Sequence, residues 1–246
     1  MLSPVFNPPP FKTFGATHLA TLALTAIVGV ALAWLGQKLR GKPQQQWLSH
    51  GMAVGILLLQ GSIQLVAMAP ANFAWDSSLP LQLCDVAWIV AIPALWTYRS
   101  WAFGIVYYWG LTATVLAMVT PDLQSGFPSF QFFKFFFGHA IVVVAAIYLC
   151  WGVGLRPNWR LYRRVSALTI AYALVIYVLN GLLGVNYVYL NRPADPGTLL
   201  EYFGPYPMHV LVCTLIALTG WAALTWPWSD ATDLQPASTT NSPATE

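Results

Sequence analysis

What most constrains this chain is a succession of long apolar runs separated by short stretches that collect nearly all of its charge. The runs cover residues 16–37, 48–70, 80–97, 101–120, 130–151, 166–185 and 207–228. A helix rises about 1.5 Å per residue and the hydrocarbon core of a bilayer is about 30 Å thick, so about 20 apolar residues cross it. In lipid the backbone has no water to bond, which leaves helices or closed barrels, and runs this long exclude barrel strands. Only 8% of the side chains are charged, against about 25% in a soluble domain. The expected fold is all-α: a polytopic membrane bundle of seven transmembrane helices. The third run is the shortest and contains Pro93, so a kink is expected there.

The basic residues orient the bundle. With seven spans, Lys38, Arg40, Lys42, Arg99, Arg156, Arg160, Arg163 and Arg164 fall on one side, which is eight of the eleven Lys and Arg residues. Lys12, Lys134 and Arg192 fall on the other. The positive-inside rule makes the first side cytoplasmic, with the N-terminus outside and the C-terminus inside. The pI of about 8.8 therefore reflects orientation. No strip of basic and aromatic residues of the kind that grips nucleic acid occurs, so no nucleic-acid partner is expected.

Three segments follow. Residues 1–15 form an extracytoplasmic arm, 16–228 the transmembrane domain, and 229–246 a Ser/Thr/Pro-rich cytoplasmic tail expected to be disordered. The first run lacks a basic leader and a small-residue cleavage site and is read as retained. Cys84, Cys150 and Cys213 all lie in apolar runs, which suggests neither a disulfide framework nor a metal site.

Ionisable side chains inside spans are functional candidates by default. Here they gather toward the outer side. Cys84 and Asp85 lie about 6 Å into the third span, counted at about 1.5 Å per residue. Lys134 stands at the mouth of the fifth span with His139 deeper, Asn180, Asn186 and Tyr187 at the exit of the sixth, and His209 on the first turn of the seventh. Gln60, Gln64 and His18 join them from the second and first spans. This pattern suits a cavity open to the outer leaflet that takes a lipid. The six Phe of "FQFFKFFFGHA" are read mainly as packing and lipid-facing residues, with an acyl channel as the other reading.

Three chemistries fit. A thiol with a pKa of about 8.5 is only a few per cent thiolate at neutral pH and needs activation. Cys84 has a helix N-terminus beside it, marked by Pro80, and His139 is the basic partner in the same half of the bilayer. Asp85 points about 100° away round the helix and is suited to orienting a histidine. A metal hydrolase could draw on His18, Asp85, His139 and His209, but no paired histidines one turn apart are present. A transporter or a non-catalytic lipid-binding protein is the third class. The "GLLG" at 181–184 offers a helix break, without a matching half elsewhere.

The segments "LPLQLCD" (79–85), "YYWGL" (107–111), "TPDL" (120–123), "FFKFFFGHA" (132–140), "LNGLLGVNYVYLNRP" (179–193) and "FGPYP" (203–207) resemble the YwaF-like family of integral membrane proteins. Its animal members are the transmembrane protein 164 group. The resemblance implies a multi-helix membrane fold and a cysteine-centred acyltransferase that remodels ether phospholipids. It places the functional cysteine in "LPLxLCD" and the histidine in "FxGH", here Cys84 and His139. The expected function is transfer of a fatty acyl chain from phospholipid to lysophospholipid through a cysteine thioester. Cys84, His139 and Asp85 would be catalytic; Lys134, Asn180, Asn186, Tyr187 and His209 would meet substrate; no metal or other cofactor is expected. The expected location is the inner membrane of a bacterium.

Overall fold

A computed structural model describes residues 8–192 and 202–229; the remainder of the expected tail and the first residues of the arm lie outside the described residues. The described residues are all-helical apart from connecting turns and one isolated bridge, Pro10 to Ser125. Among the described residues seven helices of ten residues or more follow one another: α1 (Ala16–Lys38), α2 (Pro43–Met68), α3 (Leu83–Thr97), α4 (Ser100–Val119), α5 (Phe130–Val153), α6 (Trp159–Leu183) and α7 (Met208–Trp228). Six are long and apolar enough to cross a membrane; α3, with 15 residues, is a shorter apolar helix. Segments of π-helix interrupt α4 at 110–114 and close α5 at 148–153.

Local chemistry sets the ends that hydropathy alone blurs. α2 begins at Pro43, whose fixed φ suits the first helical position, five residues before its apolar run. α6 begins at Trp159, because the Asn158 side chain accepts the Leu161 N–H at 2.8 Å. α3 begins at Leu83, three residues later than the apolar run suggests. It continues through Pro93 to Thr97, where Tyr98 ends it in the left-handed region at φ 54°. Gly184 ends α6 at φ 68°, so the "GLLG" terminates that helix and does not divide it.

The chain runs back and forth, so alternate connections share an end. We call these the basic end, where Arg40, Arg99 and Arg156 lie, and the thiol end, where α3 begins. α3, α4 and α5 form the centre, with Phe103, Val106, Tyr107, Tyr108, Leu149 and Leu95 fully buried. α1 and α2 pack on α5 and α3, and α6 and α7 on α4 and each other. Their outward faces carry exposed Leu, Ile and Val, among them Leu58, Leu65, Val175 and Leu182. Small residues let α1 lie close on α5: a Cβ at Gly36 would stand 2.9 Å from the Gly152 Cα, and one at Gly152 would stand 3.2 Å from the Ala33 Cα.

The basic end holds a polar core that hydropathy reading overlooks. Ser49 of α2 hydrogen-bonds both Tyr98 and Tyr148, and Tyr148 donates to the Gln45 carbonyl at 3.2 Å. Tyr108 is joined to Thr225 at 2.7 Å. Arg40 donates to the carbonyls of Trp151 and Gly152, which end α5, at 2.9 Å each. Arg156 lies over the Trp228 ring at 4.0 Å and brings the end of α7 to the same place.

Candidate functional site

The first turn of α3 is built around Asp85. Its carboxylate accepts the Gln82 N–H at 3.2 Å, one half of a capping box, and the Gln82 side-chain oxygen accepts the Val188 N–H at 2.9 Å. Cys84 thus occupies the second helical position, half-buried and free, with no hydrogen bond from its thiol among the described residues. The helix dipole favours an anion at that turn, and burial of the thiol and the Asp85 carboxylate beside it oppose one.

His139 lies on α5, which packs directly on α3. Its Nδ1 bonds the Phe135 carbonyl at 2.7 Å, and its ring stacks on Phe135 at 4.2 Å. A carbonyl only accepts, so in the neutral ring Nδ1 carries the proton and Nε2 holds the basic lone pair. The orienting contact expected from Asp85 is therefore made by backbone, while Asp85 caps its own helix. No hydrogen bond joins Cys84 to His139. The Ser49–Tyr98–Tyr148 contact fixes a common height for α2, α3 and α5. Counted from it at about 1.5 Å per residue, His139, Trp88 and Gln60 lie about 14–17 Å toward the thiol end, and Cys84 about 21 Å. On this count the backbones of Cys84 and His139 differ by about 7 Å along the bundle, somewhat more than one helical turn.

Lys134 is half-buried, close enough for its charge to act on Asp85, and forms no direct ion pair with it. The other expected substrate contacts fasten loops. Asn180 donates to the Tyr187 carbonyl and accepts the Tyr187 N–H, each at 2.9 Å. Asn186 binds the backbone of Asn191 and Arg192. Tyr187, fully buried, donates to the Trp75 carbonyl at 2.7 Å and accepts the Leu79 N–H. His209 Nε2 bonds the Tyr189 carbonyl at 2.8 Å. These residues tie the 69–82 segment and the 184–192 loop over the N-terminus of α3.

The four side chains weighed as metal ligands do not converge. His18 bonds the Phe14 N–H through Nδ1 and the Met118 carbonyl through Nε2. Among the described residues no group of three His, Cys, Asp or Glu side chains could hold a metal ion.

Two grooves flank α2. One, about 690 Å³, runs between α1, α2 and α5, and Phe132, Phe133, Phe136 and Phe137 form its α5 wall. Thr17, Thr21 and Thr25 line it from α1, and the hydroxyls of Thr21 and Thr25 bond carbonyls one turn back. The phenylalanines thus both pack and line an apolar channel. The other, about 470 Å³, lies between α2 and α3 and includes Trp88 and Gln64. Gln60 Oε1 and Trp88 Nε1 are buried without a partner, and the Gln60 amide rests on Gly138, where a Cβ would stand 3.1 Å from it. Trp88 escapes sequence reading because tryptophan in an apolar run looks like packing; its one signal is a position one turn after Cys84.

The profile of the TMEM164 family matches residues 13–225. A protein of Treponema pallidum (strain Nichols), described as uncharacterized, is 23% identical over 201 residues, covering 82% of this chain and 78% of its own. No solved structure matches the chain.

Proposed function

This chain belongs to the TMEM164 family, and from that premise we propose that it moves a fatty acyl chain from a phospholipid to a lysophospholipid through a thioester on Cys84. The observation that carries the reading is what two packed helices, α3 and α5, each present: an unbonded thiol on the first turn of α3, and on α5 a histidine whose Nδ1 is held by Phe135 so that Nε2 is the base. Closing about 7 Å of height is asked of the side chains and the substrate-bound state. The His139 Nε2 takes the thiol proton, and sulfur bonds the ester carbonyl carbon. The glycerol oxygen leaves with that proton as a lysophospholipid. A second lysophospholipid hydroxyl, deprotonated by the same nitrogen, attacks the thioester and returns the proton to sulfur. The donor's tail has a place in the Phe-walled groove. Lys134, whose charge acts on Asp85 in the thiol turn, offers a cation for a lipid phosphate.

The same reading takes α3 as a seventh span, with the basic end cytoplasmic, in the inner membrane of a bacterium. A second reading, lipid binding without chemistry, draws on the fact that neither Cys84 nor His139 lines the larger groove. Membranes containing wild type, Cys84→Ala or His139→Ala, given labelled diacyl phospholipid and lysophospholipid, separate the two. Transfer lost in both variants, with a hydroxylamine-labile acyl group trapped on wild-type Cys84, is the expected result. Transfer retained in both eliminates the thiol route.

A further inference from the structure

Beside the thiol lies a hydrogen-bond donor that the fold does not use. Trp88 follows Cys84 by four residues on α3, so the two side chains leave nearly the same face, about 6 Å apart along the axis. Its side chain is 5% exposed, and its indole Nε1 has no partner. That atom only donates. Leaving it unpaired is costly, and hydrocarbon offers no water to relieve the cost.

Two other core indoles show how this bundle ordinarily meets that need. Trp109 donates to the Thr169 hydroxyl and Trp221 to the Thr112 hydroxyl, each at 3.0 Å. Trp88 Nε1 makes no such bond. Instead Trp88 forms part of the wall of the α2–α3 groove, with Leu57, Leu58, Gly61 and Leu65 along α2. Those three leucines are strongly exposed, so the groove opens sideways, where lipid tails lie. Gln64, which also lines it, donates to the Ser78 carbonyl at 2.7 Å. A second buried orphan, Gln60 Oε1, lies at the same height on α2 against Gly138.

We propose that Trp88 Nε1–H receives the carbonyl oxygen of a lipid ester that enters by the α2–α3 groove. Joined to the acyl-transfer reading, on which this second half rests, Trp88 becomes the oxyanion donor of that reaction. As the Cys84 sulfur bonds the carbonyl carbon, the π pair moves onto oxygen and is held by the indole. The pair returns as the carbon–glycerol oxygen bond breaks, and the leaving oxygen takes the proton that His139 removed from the thiol. Nothing is oxidised or reduced. An ester carbonyl fits where a phosphate does not: a single neutral donor in an apolar wall matches one uncharged acceptor.

The test uses the full chain carrying Cys84→Ala, so that no ester is consumed, in nanodiscs of either diacyl phosphatidylcholine or its dialkyl ether analogue, which lacks carbonyls. The indole N–H resonance of Trp88, identified by its loss in Trp88→Phe, is expected to shift downfield in the diacyl discs alone. An identical position in both lipids overturns the proposal. In the chain with Cys84 intact, Trp88→Phe keeps the ring and deletes the donor. Transfer is expected to fall by about 10²–10³-fold. Its thermal midpoint should stay level or rise, since an unpaired buried donor has been removed. A lowered midpoint with an unchanged rate assigns Trp88 to packing and overturns the catalytic half. Should Cys84→Ala membranes retain transfer, the thioester reading falls while the resonance still decides the ligand of Trp88.

Discussion

The basic end and the thiol end of the bundle differ in how many buried polar groups they leave unpaired. At the basic end Ser49, Tyr98, Tyr148 and Gln45 bond one another across three helices, and Arg40 reaches the last carbonyls of α5. Of the five buried polar side-chain atoms without partners among the described residues, four belong to Gln60, Trp88, Thr114 and His209, all in the thiol half of their helices. A satisfied network is explained by packing alone. An orphaned one costs stability and calls for a ligand to account for it. Polarity by itself does not mark a site in this bundle; the reading proposed above rests on unmet polarity at Trp88.

The comparison can be broken in four ways, taken from the largest expected effect. Cys84→Ser removes the better nucleophile while nearly preserving shape, and acyl transfer should fall by at least about 10³-fold with the melting curve unmoved. A variant as active as wild type would strip the thiol end of its chemical role. Gly36→Leu forces a side chain into the Gly152 backbone, where even a Cβ stands at 2.9 Å. The expected cost is about 3 kcal/mol or more, read as loss of monodisperse protein in detergent.

Tyr148→Phe leaves Ser49 and the Gln45 carbonyl short of a partner. Stability should drop by about 1–2 kcal/mol in chemical denaturation, with transfer per folded molecule unchanged. A fall in turnover there would show that the basic end takes part in chemistry. Asp85→Asn keeps an oxygen for the Gln82 N–H and should cost less than about 1 kcal/mol, with transfer within a few-fold of wild type. A loss comparable to His139→Ala would mean that the carboxylate acts on the histidine after all.

Most of the fold was legible in the runs of apolar residues. The α1, α4, α5 and α7 boundaries follow hydropathy closely, because for those helices the lipid-like stretch and the hydrogen-bonded stretch coincide. α2, α3 and α6 departed from it where Pro43, Gln82 and Asn158 set the first turn. The candidate site was legible only in part. Cys84 and His139 stood out as costly groups in apolar runs, but so did Asn180, Tyr187 and His18, which serve loops and carbonyls. Side-chain chemistry in a sequence carries no record of what already occupies it. Trp88 failed the other way, since an indole buried with a partner and one buried without are the same letter.

By itself the sequence determined the solvent: too little charge for water, and enough apolar length in successive helices to require a lipid-like surround. That follows because burial of backbone in hydrocarbon depends on composition and run length, both of which are one-dimensional. Only the tertiary structure decided which polar groups are occupied, that α3 packs on α5 with Cys84 and His139 in the same half of the bundle, and that the Trp88 indole is left over. Those are properties of distances between residues far apart in the chain, and no local pattern encodes them.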